Sequence, residues 1–275
     1  MAYAELDHRA RPAAHRASRR ASVLRRLPEW ALSTTLFVAL LVGWQAFIDL
    51  RGLPPLVLPG PAVVWRVMVE QLGQGALWPH VWTTLAEVSA GFLVGSALGL
   101  ALGTAVAFSG RLGRVIRPYI VASQAMPKLA LAPIMVVWFG FDLTPKVVIA
   151  GLISFFPLFE NMVAGLQAAE PDALELFHSL RASRWQTFAK LRLPWALPFI
   201  MAGLRVALIL SLVGAVVGEF VGANKGLGAL IVSAQGTMNT PLMFAVFVIL
   251  TVVGIVLSLL ADAAERAVLR WRYGE

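Results

Sequence analysis

Six long apolar stretches constrain this chain more than any other feature of its sequence. Each has about 20 residues or more, rich in Leu, Val, Ala and Phe, which is the length that an α-helix needs to cross a bilayer. The stretches are residues 31–50, 85–108, 118–140, 143–166, 195–221 and 242–261. With 59% hydrophobic and 14% charged residues, the 275-residue chain is too apolar for a soluble protein. We therefore predict an all-α polytopic membrane protein with six transmembrane helices.

The distribution of basic residues predicts which loops face the cytoplasm. Of the 23 lysines and arginines, 17 lie in the two tails and in alternate loops, four are assigned to the other loops, including Lys146 at the start of the fourth stretch, and two lie deeper within the stretches. Because loops rich in Lys and Arg stay in the cytoplasm, both termini are predicted to be cytoplasmic. The chain then divides into a basic tail (1–29), a transmembrane domain (30–266) and a second tail (267–275).

Several kinds of chemistry are excluded by residue content and spacing. The chain has no cysteine, and its four histidines have no partner at metal-ligand spacing, so we expect no metal and no cofactor. The segment 222–228, GANKGLG, has the wrong order for the phosphate-binding loop of ATPases. The chain is therefore not expected to be an enzyme, and any ATP that drives it must be hydrolysed by another chain.

Four glycines, Gly91, Gly95, Gly99 and Gly103, recur every fourth residue in the second stretch. This spacing places them on one ridge of a helix, where another helix can approach closely. We interpret the ridge as a packing surface; a hinge or pore-lining role is the alternative.

The polar loop 170–194 is too long and too regular for a simple connector. Leu174, Phe177 and Leu180 recur at helical spacing, and Asp172 with Glu175 resembles a helix N-terminal cap pair. The loop therefore contains a short amphipathic helix. By itself, its apolar face is equally compatible with the lipid surface and with a protein partner.

The same loop carries a recognisable pattern, Glu175-x5-Arg181-x9-Leu191-x-Leu193-Pro194. It resembles the EAA loop of ATP-binding-cassette (ABC) importer permeases, with Arg181 in place of the usual glycine. LVLPGPAVVW, AMPKLALAPIMVVWFG, RASRWQTFAKLRLPWALP and VVGEFVGANKGLGALI are similar to permeases of the nitrate, sulfonate and taurine family, including relatives for thiamine-pyrimidine or riboflavin precursors.

This resemblance implies the type I importer permease fold in a bacterial inner membrane. It also implies a second permease copy, an extracytoplasmic solute-binding protein, and cytoplasmic ATPases that bind the loop as a coupling helix. The residues that the resemblance assigns to ATPase coupling are Asp172, Leu174, Glu175, Phe177, Leu180, Arg181 and Ser183. The solute is expected to be a sulfonate-, taurine- or nitrate-like anion or a pyrimidine or vitamin precursor.

Polar residues within the stretches are candidates for the translocation path, because charged groups inside a membrane are costly unless they are used or paired. We select Glu219, Asn161 and Arg205; the alternative for Glu219 is a structural partner for Arg205 or a carboxylate in water at the rim. Lys128 and Glu160 are expected to reach towards an interface instead. A standalone ion-coupled transporter is the competing function, and a non-transporting scaffold a weaker one.

Overall fold

The computed structural model describes residues 28–273, so the predicted N-terminal tail up to residue 27 and the last two residues of the C-terminal tail lie outside it. Helices account for nearly all of this range. We label them α1 to α11, and they cover Glu29–Arg51, Pro61–Gly73, Trp78–Phe108, Gly110–Ala125, Ala132–Phe139, Leu143–Gln167, Pro171–Ser179, Arg184–Thr187, Leu193–Phe220, Leu227–Gly236 and Thr240–Tyr273.

The chain divides into two compact units at residue 63. The first contains α1, whose span Trp30–Arg51 is apolar and exposed along most of its length. The short helix α2 begins at Pro61, which loses no hydrogen bond at a first helical position. The second unit begins at Val64, within α2, and contains the rest of that helix together with α3 to α11.

Five helices of the described chain are long and apolar enough to cross a membrane: Trp30–Arg51, Trp78–Phe108, Leu143–Gln167, Arg184–Phe220 and Thr240–Arg270. The fourth is continuous because a π-helical turn, Phe188–Arg192, joins α8 to α9. These helices confirm five of the six predicted stretches, although several begin or end some residues away from the predicted positions.

The predicted third span, 118–140, is not one straight helix. Gly110–Ala125 and Lys128–Phe139 meet at an angle of 81°. Pro127 causes the break, because a residue that precedes proline is pushed out of the helical region, and Met126 has the extended ψ of 133°. A 3₁₀ turn, Lys128–Leu131, then leads into α5. The six-helix prediction holds only if this bent pair counts as one span.

Helix α6 lies between α3 and α9 at the centre of the second unit. A Cβ atom on Gly99 of α3 would lie 2.9 Å from Phe155 O of α6, and one on Gly103 would lie 2.8 Å from Met162 Cβ. From the other side, a Cβ atom on Gly214 of α9 would lie 2.7 Å from Ala150 Cα. The glycine ridge is therefore a packing surface, as predicted. In lipid, burial of apolar side chains does not drive helices together, so the close approach of backbones that glycine allows stabilises the bundle.

Candidate functional site

The loop predicted to couple to a partner contains α7, which begins at Pro171. Its N-cap residue is Glu170, in an extended conformation and without a side-chain cap hydrogen bond. The proposed Asp172–Glu175 cap pair is therefore wrong, because Asp172 already lies inside the first turn. There its carboxylate still interacts favourably with the positive end of the helix dipole.

Helix α7 ends in a Schellman motif centred on Arg181. Arg181 N donates to His178 O and Ala182 N donates to Phe177 O, both at 3.0 Å. Arg181 has φ of 52°, in the left-handed region that favours glycine. This is the position at which the resemblance expects glycine. The chain keeps the backbone shape of the bend with an arginine, at a cost of about 1–2 kcal/mol.

Two residues later, a capping box starts the next helix. Ser183 Oγ accepts from Gln186 N at 3.2 Å, and Gln186 Oε1 accepts from Ser183 N at 2.7 Å. These reciprocal bonds satisfy backbone donors at the start of α8. Since α8 continues into α9, only residues 180–183 separate α7 from a membrane span. The connection is hydrogen-bonded at both ends, which limits its bending.

Exposure of apolar side chains on α7 differs along the predicted stripe. Leu180 is 70% exposed and Leu176, which shares its face, is 57% exposed. Leu174 and Phe177 are half-buried. Leu174 and Glu175 also line a cavity of about 470 Å³ together with Phe108, Arg184 and Arg192. The most accessible apolar surface of α7 is therefore the Leu176–Leu180 pair, with Phe177 beside it.

The carboxylate of Glu219 lies in a buried hydrogen-bonded cluster at the end of α9. Thr84 Oγ1 donates to Glu219 Oε1 at 2.6 Å, and Gly228 N donates to Glu219 Oε2 at 2.5 Å. Leu227 N donates to Thr84 Oγ1 at 2.9 Å. Glu219 is 1% exposed. The cluster ties the first turn of α10 to both α3 and α9.

A buried ion pair lies beside this cluster. Lys146 Nζ of α6 is 2.9 Å from Glu87 Oε1 of α3, and both side chains are almost completely buried. A Cβ atom on Gly218, the neighbour of Glu219, would lie 3.1 Å from Lys146 Cα, so the ion pair is close to the cluster. Because an unpaired buried charge is strongly destabilising, Lys146 and Glu87 depend on one another.

Sequence reasoning missed Glu87 and placed Lys146 in a loop, whereas Lys146 lies in the first turn of α6. A signal was present: Glu87 stands four residues before Gly91 and so continues the glycine ridge. A carboxylate on a face that packs against another helix requires a partner.

Asn161 and Arg205 lie elsewhere in the bundle and do not join Glu219. Arg205 forms a two-point contact with Asp262 of α11, at 2.8 and 3.2 Å, so the suggested Arg205–Glu219 pairing is wrong. Asn161 Nδ2 donates to Pro157 O at 2.8 Å on its own helix. A Cβ atom on Gly203 would lie 2.8 Å from Asn161 Cβ, at the contact between α6 and α9.

Residues 95–272 match the family described as "Binding-protein-dependent transport system inner membrane component". The match covers more than half of the chain. The chain belongs to this family. It is a transmembrane permease subunit of an ABC importer, as its sequence motifs indicate.

Permeases of named transport systems are similar to it along most of their length. The riboflavin transport system permease protein RibX of Chloroflexus aurantiacus is 39% identical, over 89% of this chain and 91% of RibX. The formylaminopyrimidine transport permease protein ThiX of Halalkalibacterium halodurans is 36% identical, over 88% and 96%. The taurine transport system permease protein TauC of Escherichia coli is 30% identical, over 89% and 90%.

Solved structures share the fold. The MetNI methionine ABC transporter in an inward-facing conformation matches with a TM-score of 0.63 and 23% identity, over 70% of this chain and 95% of the matched one. An amino acid ABC transporter matches with a TM-score of 0.61 and 20% identity, over 73% and 98%. The predicted type I importer permease fold is thereby confirmed.

Proposed function

We propose that this permease is driven by separate cytoplasmic ATPase subunits that bind α7. The observation that carries this proposal is the construction of the loop: an amphipathic helix with exposed Leu176 and Leu180 is joined to a 37-residue helix by a Schellman motif and a capping box. A motion applied to α7 is passed to the span because neither joint bends freely.

Under this proposal the permease works as a homodimer in the bacterial inner membrane, with both termini in the cytoplasm. An extracytoplasmic binding protein delivers the solute at the opposite side. The 17 basic residues in the tails and alternate loops support this orientation. Reporter fusions at Gly110, Ser183 and the C-terminus should then report cytoplasm, and fusions at Gly73 and Asn224 the outside; a cytoplasmic report at Asn224 would refute it.

The proposed solute is a small organic molecule of the kinds that the relatives are named for. RibX and ThiX, named for riboflavin and formylaminopyrimidine, are 39% and 36% identical, whereas TauC, named for taurine, is 30% identical. We favour a vitamin or pyrimidine precursor over a sulfonate. The predicted participants in translocation remain Glu219, Asn161 and Arg205. Because Glu219 is buried and bonded to the first turn of α10, we expect it to act through α10 rather than by direct contact with the solute.

The decisive experiment is purification of the permease with and without its ATPase. The isolated chain should hydrolyse no ATP, whereas the complex should do so, faster when loaded binding protein is present. Stoichiometric turnover by the isolated chain would end the proposal. Uptake driven by an ion gradient without any ATPase would favour the standalone transporter.

A further inference from the structure

Two polar contacts join α6 to the broken span formed by α4 and the 3₁₀ turn. Gln124 donates a hydrogen bond from its amide to Glu160. On the other side of the break, Lys128 Nζ lies 4.3 Å from the centre of the Phe156 ring. Phe156 and Glu160 are four residues apart on α6 and share one face of that helix, so the contacts form two successive rungs on it.

These rungs lie well inside the membrane-spanning part of the chain. Glu160 is seven residues before Gln167, the end of α6, which places it about 10 Å from that end at 1.5 Å per residue. Yet the side chains of Gln124 and Glu160 are both exposed in the single chain. Because lipid does not solvate a carboxylate or an amide, this surface must face water or protein.

The break in the span supports the same conclusion. At Met126–Pro127 the helix bends by 81°, and the backbone continues as a 3₁₀ turn. Irregular backbone at membrane depth is tolerated where it is buried in protein or lines a water-filled cavity. Lys128 stands at the start of this turn, half-buried above the Phe156 ring.

A cavity of about 510 Å³ lies beside the Gln124–Glu160 contact, between α3, α4 and α6. This is within the range of small-molecule sites, which are largely apolar with a few polar groups. Its wall includes the apolar residues Ile120, Phe159 and Val163. The polar residues of the wall include Gln124, Glu160 and Arg114.

We propose that this cavity is a solute site on the translocation path, and that it takes an uncharged, planar heterocycle with N–H donors rather than a sulfonate-type anion. The proposal rests on the permease function given above. Glu160 and Gln124 offer oxygen acceptors to N–H groups, and Phe159 offers an aromatic surface. The single carboxylate offsets the single guanidinium of the wall, so the site has no excess positive charge that would select an anion.

The absence of cysteine allows a clean test, because an introduced cysteine is the only thiol in the chain. Ala164 is exposed and lines the cavity. Ala105 is also exposed but is not among the cavity residues. The two lie at the same depth, since α3 and α6 run parallel and Gly103 packs against Met162. Ala105→Cys is therefore a matched control for Ala164→Cys.

Each single-cysteine variant is assembled into the complete transporter and reconstituted in liposomes. The two preparations are then reacted separately with a charged methanethiosulfonate reagent. Ala164→Cys should react at least tenfold faster than Ala105→Cys. Saturating riboflavin or formylaminopyrimidine should slow the Ala164→Cys reaction at least fivefold, and taurine should not. Adding Glu160→Gln should raise the riboflavin concentration needed for protection at least tenfold.

Three results would overturn the proposal: equal reaction rates at the two positions, protection by taurine, or protection by neither heterocycle. These results are separable from failure of the permease function. If the ATPase does not bind the chain, ATP hydrolysis fails, whereas thiol reactivity and protection can still be measured on the permease alone.

Discussion

Thr84 and Glu219, 135 positions apart in sequence, share a buried hydrogen bond of 2.6 Å. Its direction is fixed: Thr84 Oγ1 already accepts from Leu227 N, so its own hydrogen points to Glu219 Oε1. The other carboxylate oxygen accepts from Gly228 N. Glu219 thus acts as an acceptor at both oxygens and holds the start of α10 against α3.

Replacing Glu219 by glutamine should preserve assembly and lower both stability and uptake. The glutamine carboxamide has an NH₂ group in place of one carboxylate oxygen, and this group would face either the Thr84 hydroxyl or the Gly228 N–H, which are both donors. An unsatisfied buried donor costs about 1–3 kcal/mol. Thermal unfolding of the purified permease and solute uptake measure the two effects. Glu70→Gln, at an exposed carboxylate of α2, is the control for stability and should change little. An unaltered unfolding temperature together with normal uptake would show that this cluster has neither role.

Replacing Arg181 by glycine should stabilise the bend after α7. Glycine adopts a φ of 52° without the steric cost that an L-residue bears, roughly 1 kcal/mol or more. Hydrogen exchange of the α7 amides should become about fivefold slower, and Arg181→Val should make it faster. Arg184→Gly is the opposite control. Arg184 lies in a helix, where glycine is unfavourable, so this change should not slow the exchange. Faster exchange in Arg181→Gly would mean that the arginine side chain itself holds the loop.

Truncating Phe177 should weaken ATPase binding at least tenfold, equivalent to about 1.4 kcal/mol, and should abolish uptake while the bundle stays folded. Phe177 is half-buried beside the exposed Leu176 and Leu180, so its loss removes support from the accessible apolar surface. The measurement is the dissociation constant of the permease–ATPase complex. Arg184→Ala, a change at an exposed polar residue, should have much less effect. If Phe177→Ala leaves both ATPase binding and uptake intact, α7 lies on lipid and the coupling role is withdrawn.

Substituting Gly99 by alanine should destabilise the bundle, although alanine favours helices. The added methyl carbon would lie 2.9 Å from Phe155 O, and backbone cannot move aside as a flexible side chain can. We expect a loss of about 1–3 kcal/mol in the free energy of unfolding, as for other overpacked cores. Gly43→Ala, in α1, has open space around the new methyl group and should be neutral or slightly stabilising. Equal unfolding temperatures for the two variants would contradict the packing role of the ridge.

Apolar length and glycine spacing predicted five of the spans and the packing ridge on α3 correctly because both are local properties. A run of apolar residues must meet lipid, and residues four apart must share a helix face. The loop pattern located α7 for the same reason. The bend at Pro127 was also readable in principle, since a proline restricts the residue before it; a continuous apolar composition concealed it.

The pairing of polar side chains between helices could not be predicted in this way. The sequence by itself determined that this chain is a helical membrane permease, that α3 packs through a ridge of glycines, and where a short amphipathic helix follows the fourth predicted span. Only the tertiary structure decided that Lys146 pairs with Glu87, Arg205 with Asp262, and Glu160 with Gln124. Each polar residue in the membrane requires a partner, but the partner lies on another helix, 36 to 59 positions away in these three pairs. Which side chains meet is set by helix rotation and depth, quantities that arise only when the helices pack together.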